Sequence, residues 1–164
     1  MNRAFETGLI SDLCSAKIWM GWGAKANASG VSRGGRMTKI HALVAVLGRR
    51  LSLILTPGNR SDVKAADLLI GDTAGMKRLI ADRAYDANRI RATLRQQNTM
   101  PVIPGGKNRK RAIRHDETRY KERWRIEAMF CRLKDFRRVA TRYDKLARNY
   151  QSAVMLAAAV AFWL

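Results

Sequence analysis

The chain has 164 residues, a formal net charge of +19 and an apolar fraction of 47%, which supplies one folded core and excludes a wholly disordered chain. Its two cysteines, Cys14 and Cys131, exclude a framework of several disulfides and indicate a reducing compartment. The longest unbroken apolar run, 153–164, is shorter than the ~20 residues that cross a bilayer. We expect this run to be a buried helix, and we expect no membrane role.

The distribution of charge indicates a polyanionic partner. Residues 101–145 carry 15 basic and 6 acidic groups, whereas residues 1–100 carry 16 and 7, so the density of net positive charge doubles. Duplex DNA presents about one negative charge per 1.7 Å of axis, and nucleic acid is therefore the predicted partner. The alternative is a solvated charged surface like that of ribosomal or histone-like proteins, which charge alone does not distinguish.

The first part of the chain predicts strands around a basic loop. Residues 8–20 fit either a strand or a short helix. Residues 21–36 are rich in Gly, Ser, Asn and basic side chains and predict a mobile loop, in which Arg33 is a candidate DNA contact. Residues 37–47 and 51–55 predict a β-hairpin that ends in a Pro-Gly turn.

The remainder predicts strands interspersed with helices, and hence an α/β fold. The predicted elements are a helix over 63–70 with Ser61 and Asp62 as N-cap candidates, a strand over 78–82, a helix over 88–97, a strand over 100–104, an exposed basic loop over 107–114, a long helix over 117–136 and a last helix over 145–163. Asp67 and Asp86 are expected to be surface acids.

One stripe of the predicted long helix carries functional side chains. At about 100° per residue, Tyr120, Arg123, Glu127 and Lys134 share roughly a 60° sector next to the apolar face. Glu127 should then lie at the edge of the core, where a carboxylate requires a cation such as a metal ion. The alternative, which helix geometry alone favours, is an ordinary ion pair between Arg123 and Glu127 at spacing i,i+4.

The spacing of these four residues resembles the signature around the last acid of DDE transposases from bacterial insertion sequences. Residues 128–147 continue the resemblance, which covers the chain from about Gly23 to its C-terminus and is closest to the fifth-numbered insertion-sequence family. Further matching blocks occur upstream in the family's order: Ser32-Arg33-Gly34-Gly35, Thr38-Lys39-Ile40-His41-Ala42, Leu55-Thr56-Pro57-Gly58-Asn59 and Ala81-Asp82-Arg83-Ala84-Tyr85-Asp86.

This resemblance implies a ribonuclease-H-like mixed sheet flanked by helices, in which three carboxylates hold two Mg²⁺ or Mn²⁺ ions. Asp82, at the end of a predicted strand, matches the second acid of the family, and Glu127 matches the third. Asp12 is the candidate for the first acid, although residues 18–22 depart from the family's pattern. The alternative for Asp82 is a cap on the helix that follows.

The resemblance also implies how DNA is contacted. Tyr120 and Lys134 would contact DNA near the active site, and Arg123 would steady Glu127. Further basic residues would make nonspecific phosphate contacts, with solvated charge as the alternative. These residues are Lys107, Arg109, Lys110, Arg137 and Arg138.

The implied activity is metal-dependent DNA cleavage and strand transfer in transposition. Residues 23–164 would form the catalytic domain, with 1–22 an irregular N-terminus that contains a possible first strand and joins the same domain. The chain would be a second-frame or C-terminal part that acts in the bacterial cytoplasm on the nucleoid. Its expected partners are transposon ends, target DNA, further copies of the chain and the product of an N-terminal frame. The alternative function is a non-catalytic DNA-binding remnant without a complete acidic triad.

Overall fold

The computed structural model describes residues 2–11, 18–20, 28–32, 35–45, 51–71 and 75–163. The strands are β1 (Asn2–Ser11), β2 (Ile18–Met20), β3 (Gly30–Ser32), β4 (Gly35–Ala45), β5 (Leu51–Pro57), β6 (Arg78–Ala81), β7 (Met100–Val102) and β8 (Thr141–Arg142). The helices are α1 (Asp62–Ile70), α2 (Asn88–Gln96), α3 (Glu117–Tyr120), α4 (Trp124–Lys134), α5 (Arg137–Ala140) and α6 (Ala147–Trp163).

These strands form one mixed sheet in the order β2-β5-β4-β1-β6-β7, with β3 paired to β4 and β8 paired to β1. Strands β4 and β5 are antiparallel, with Val44 opposite Leu51, which confirms the predicted hairpin. Strand β1 is parallel to β4 and antiparallel to β6. Residues 30–32 form β3 inside the segment predicted to be a loop.

Side chains along β4 and β5 alternate between two hydrophobic clusters, as the period of a strand requires. One cluster contains Ile40 and Leu53 together with apolar side chains of α4 and α6. The other contains Leu43 and Ile54 together with side chains of α1 and α2. Helices therefore cover both faces of the sheet, and the predicted mixed α/β arrangement is confirmed.

The order of elements between residues 61 and 102 agrees with the sequence. Helix α1, strand β6, helix α2 and strand β7 occupy the predicted segments within about two residues. Ser61 precedes α1, but its side chain makes no capping hydrogen bond, and Asp62 instead accepts a hydrogen bond from Lys39 Nζ at 2.8 Å. Among the described residues, no helix is both long and apolar enough to cross a membrane.

The predicted continuous helix over 117–136 is wrong. Helix α3 ends at Tyr120, a 3₁₀ turn covers Lys121–Arg123, and α4 runs from Trp124 to Lys134. A 3₁₀ turn has three residues per turn, so side chains at i and i+3 eclipse each other. This turn thereby brings Tyr120 and Arg123 to the same side of the helix, where both reach the end of β6.

His41 on β4 makes the fold sensitive to acid. The side chain is fully buried and hydrogen bonds with the Tyr85 hydroxyl at 3.1 Å and the Thr56 hydroxyl at 2.8 Å. Burial lowers the pKa of His41 from its ordinary 6.5 to about 4, and the attraction of Asp62 only partly offsets this shift.

We therefore expect the free energy of unfolding to fall by about 3 kcal/mol as pH drops from 6.5 to 4, because only the unfolded chain binds the His41 proton readily in this window. Urea unfolding at a series of pH values measures the loss. The variant His41→Gln does not titrate and should show a flatter profile between these limits. Equal slopes for the two proteins would contradict this assignment.

Candidate active site

Asp82 lies directly after β6, where the chain leaves the sheet and enters a 3₁₀ turn over Arg83–Tyr85. Its side chain is 33% exposed and its Oδ1 accepts a hydrogen bond from Arg123 Nη1 at 2.5 Å. The Tyr120 hydroxyl donates to the same oxygen at 3.4 Å. The carboxylate at the end of β6 is thus held by two residues of the helical segment that begins at residue 117.

Glu127 lies in the first turn of α4, and its side chain is 60% exposed. Its Oε1 accepts a hydrogen bond from Arg123 Nη2. The i,i+4 ion pair considered from the sequence is therefore present, but the same guanidinium also binds Asp82. Arg123 brings together two carboxylates that are 45 residues apart in the sequence.

The protonation of Arg123 and Tyr120 suits this role. Although burial lowers the pKa of Arg123, its hydrogen bond with Asp82 and the nearby negative charges raise that pKa above the ordinary value. Burial and the charge of Asp82 raise the pKa of Tyr120, so the phenol keeps its proton and acts as a donor. The ring of His115 packs edge-on against that of Tyr120, with centroids 5.3 Å apart.

Asp82 and Glu127 supply the oxygen donors that a hard divalent cation prefers. Arg123 occupies one oxygen of each carboxylate, Asp82 Oδ1 and Glu127 Oε1, and the oxygen-donor chemistry of the pair fits a divalent ion. Two of the predicted site residues, Asp12 and Arg33, lie outside the described residues. Within the part of the chain that the structure describes, no three His, Cys, Asp or Glu side chains are grouped to hold a metal.

The other predicted DNA contacts occupy different environments. Lys107, Lys110, Lys134 and Arg137 are exposed. Arg138 is also exposed and forms an ion pair with Asp144, whose Oδ1 lies 2.8 Å from its Nη2. Arg109 has a different setting, since its guanidinium donates to Asp86 and to Asn88.

The sequence interpretation missed the burial of Asp86, and its prediction as a surface acid is wrong. The side chain is 2% exposed and pairs with Arg91, which is itself 4% exposed. Side chains pair on a helix at spacings of three or four residues, whereas Asp86 and Arg91 are five residues apart, so the sequence did not indicate this ion pair. The second partner, Arg109, is 23 residues away, so only the tertiary fold brings the group together.

The sequence interpretation also missed an exposed tryptophan that follows Arg123 in the chain. Trp124 follows Arg123, its residue is 60% exposed, and the Arg125 guanidinium carbon lies 5.7 Å from its ring centroid. Its position directly after Arg123, a predicted site residue, could have indicated it from the sequence. An exposed ring beside basic side chains is a surface on which a nucleic-acid base can stack.

Comparison with known proteins identifies the family. The family model described as "Transposase DDE domain" matches residues 9–162. The chain belongs to this DDE transposase family. This finding confirms the resemblance drawn from the sequence and, with it, a transposase role.

Two relatives carry insertion-sequence names. A Brucella ovis protein named as a transposase for insertion sequence element IS6501 is 36% identical over 128 residues, which cover 77% of this chain and 98% of that protein. A Burkholderia cepacia protein named as a transposase for insertion sequence element IS402 is 29% identical over 154 residues, covering 87% of this chain and 71% of that protein. No solved structure matches the chain.

Membership of the DDE family indicates the substrate and the metal ions to consider for this protein. DDE transposases act on DNA and generally use divalent metal ions. The +19 net charge of this DDE transposase agrees with a polyanionic substrate.

Proposed function

We propose that this DDE transposase is the catalytic domain of an insertion-sequence transposase, which cleaves DNA at the element's ends and joins the strands to target DNA. The observation that carries the proposal is the meeting of Asp82 and Glu127 around Arg123. Surface ion pairs between sequence neighbours are common, but here a carboxylate from the sheet and another from a helix share one cation. Two carboxylates that meet in this way favour a site that binds cations.

We propose that Asp82, Glu127 and Asp12 hold two Mg²⁺ or Mn²⁺ ions. A pair of divalent ions, when bound, favours a deprotonated oxygen nucleophile and offsets the charge that develops on the phosphate and the leaving oxygen. The chain's own residues orient this centre. Arg123 fixes the direction of the Glu127 carboxylate, and Tyr120 does the same for Asp82 through its hydroxyl.

We propose that the basic surface around the site binds DNA. Lys134 lies on the same helix as Glu127, two turns further along, and is proposed to contact a phosphate near the reacting bond. Arg137, Arg138, Lys107 and Lys110 are proposed as contacts to the sugar–phosphate backbone that position the duplex without reading its sequence.

The proposal extends to the fold and the assembly. We propose a ribonuclease-H-like arrangement for this domain, residues 23–164 joined to 1–22, and the support is its membership of the DDE family. Two element ends must be brought together for transposition, so we propose that copies of the chain associate on DNA. We also propose that an N-terminal frame product supplies recognition of the ends, and that the complex acts in the bacterial cytoplasm on the nucleoid.

Incubation of the full chain with supercoiled plasmid and a labelled oligonucleotide carrying a 3′ hydroxyl tests the activity. With Mn²⁺ or Mg²⁺, we expect nicked plasmid and labelled joined products, whereas EDTA should abolish both products without releasing the DNA. Retained DNA binding with no metal-dependent nicking or joining would contradict the proposed catalysis. That result would identify the alternative, a non-catalytic DNA-binding remnant.

A further inference from the structure

A buried ionic cluster lies four residues beyond Asp82 and does not touch the two carboxylates of the candidate active site. We call it the Asp86 cluster, and it consists of Asp86, Asn88, Arg91, Gly106 and Arg109. Asp86 Oδ1 accepts from Arg91 Nε at 2.8 Å and from Arg109 Nη2 at 2.9 Å. Asp86 Oδ2 accepts from Arg109 Nε at 2.5 Å and from the Gly106 amide at 2.6 Å.

One further nitrogen of each arginine is also engaged. Arg91 Nη2 donates to the carbonyl of Ile103 at 2.7 Å, and Arg109 Nη1 donates to Asn88 Oδ1 at 2.7 Å. Asp86 and Arg91 are 2% and 4% exposed, so water does little to weaken these bonds. A buried carboxylate that accepts four hydrogen bonds fixes the groups around it in one arrangement.

The cluster anchors a compact basic segment, residues 104–114, that links β7 to α3. The Arg109 amide donates to the Gly106 carbonyl at 3.2 Å, which closes a turn. A Cβ atom on Gly105 would lie 3.4 Å from the Ile113 amide nitrogen, and one on Gly106 would lie 3.3 Å from Asp86 Oδ2. The segment therefore folds back on itself and against the cluster.

The two ends of the basic segment flank the residues around Asp82. Its beginning is bound to Asp86, in the turn that follows Asp82. Immediately after its end, His115 packs on Tyr120, whose hydroxyl donates to Asp82. Lys107, Lys110, Arg111 and Arg114 are exposed along the segment, and both ends of the segment that carries these cations are attached close to Asp82 in the fold.

We propose that Asp86 and Arg109 are positioning residues that lock the basic segment into a preformed surface for DNA phosphates next to the candidate active site. The inference rests on the proposed function for its ligand, the DNA backbone. It gives Arg109 a role different from the direct phosphate contact expected from the sequence. Fixing the exposed cations before DNA arrives spares the ordering cost that a loose segment would incur on binding.

A charge-preserving substitution, Arg109→Lys, tests the proposal in the full chain. Lysine keeps the positive charge but cannot form the paired bonds of a guanidinium to Asp86. Arg95→Lys is the matched control, since Arg95 is exposed on α2 and belongs to neither the cluster nor the segment. The measurements are affinity for a plasmid-derived duplex at several salt concentrations, and the rate of trypsin cleavage after Lys107 and Lys110.

Arg109→Lys is expected to reduce DNA affinity about fivefold and to accelerate cleavage within the segment about tenfold, because local opening exposes the backbone. Arg95→Lys should behave as the unmodified protein in both measurements. DNA affinity unchanged by Arg109→Lys would overturn the proposal, and so would a cleavage rate equal to that of the control.

Arg109→Met is a second variant that removes the charge as well as the paired bonds, and circular dichroism checks that both variants are folded. It should loosen the segment in the same way and reduce DNA affinity by about tenfold. Loss of a single phosphate contact would instead mainly lower the slope of log affinity against log salt by about one unit. An effect limited to that change in slope, without faster cleavage, would overturn the proposal. If the unmodified protein binds DNA but does not nick it with metal, only the proposed catalysis is contradicted. If the protein nicks DNA and an Arg109 variant has a loosened segment but normal DNA affinity, only the positioning role is contradicted.

Discussion

Glu127→Gln is expected to reduce metal-dependent nicking and joining by about 1,000-fold, corresponding to about 4 kcal/mol of lost transition-state stabilisation. Glutamine preserves the size of the side chain but removes the negative charge that would help hold a divalent ion. Because Glu127 is 60% exposed and contributes nothing to the buried clusters, the fold should persist. DNA affinity should remain within about threefold, since one less negative charge on a protein of net charge +19 slightly favours phosphate binding.

Plasmid nicking in Mn²⁺, measured beside a DNA-binding titration, checks this expectation. The matched control is Glu122→Gln, which makes the same chemical change at a side chain whose partner is Arg119, 3.7 Å away. The control should nick at the unmodified rate. Nicking by Glu127→Gln at the rate of the control would remove Glu127 from the proposed metal site.

Asp86→Asn should cost about 3–5 kcal/mol of folding free energy, the range for removing one partner of a buried ion pair. An asparagine has one acceptor oxygen, and its NH₂ group would face donors of Arg91, Gly106 or Arg109. The buried Arg91 guanidinium would lose its countercharge. Urea unfolding of the two proteins at pH 7 measures the difference.

Asp67→Asn is the control for this substitution, because Asp67 also pairs with an arginine, Arg89, but both side chains are well exposed, at 43% and 54%. Exposed pairs contribute at most about 1 kcal/mol. Similar losses for the two variants would show that the Asp86 pairs are no stronger than a surface contact.

The same carboxylate predicts a separate effect of acid. Burial raises the pKa of Asp86, but the hydrogen bonds from Arg109, Gly106 and Arg91 outweigh burial and hold it at about 2, below the ordinary 3.8. The folded state therefore binds this proton less readily than the unfolded state. The resulting stabilisation is complete above pH 3.8 and disappears as pH falls through about 2, a window distinct from that of His41.

Local patterns in the sequence were sufficient for much of the fold. The hairpin of β4 and β5 follows from two apolar runs bounded by turn residues, and the end of β6 at Ala81 follows from a short apolar run that closes on Asp82. Membership of the DDE family was also readable, because the spacing from Tyr120 to Lys134 is specific.

Features that depend on long-range contacts were not predictable in this way. A helical projection assumes a constant rotation per residue, and the 3₁₀ turn at Lys121–Arg123 breaks that assumption. The pairing of Arg123 with Asp82 spans 41 residues and required the fold to reveal it. The burial of Asp86 depends in the same way on Arg109, a residue whose local surroundings suggest only a charged loop.

Helix α6 has a consequence for shortened gene copies. Tyr150 and Val154 of this helix pack in the same cluster as Leu53 and Ile40 of the sheet, and Gln151 Nε2 donates to the Leu53 carbonyl at 3.3 Å. A polypeptide terminated before residue 147 would leave this apolar sheet surface bare, and bare surfaces of this kind promote aggregation. Gene copies that end before the codon for residue 147 should thus yield insoluble products rather than a folded, shortened protein.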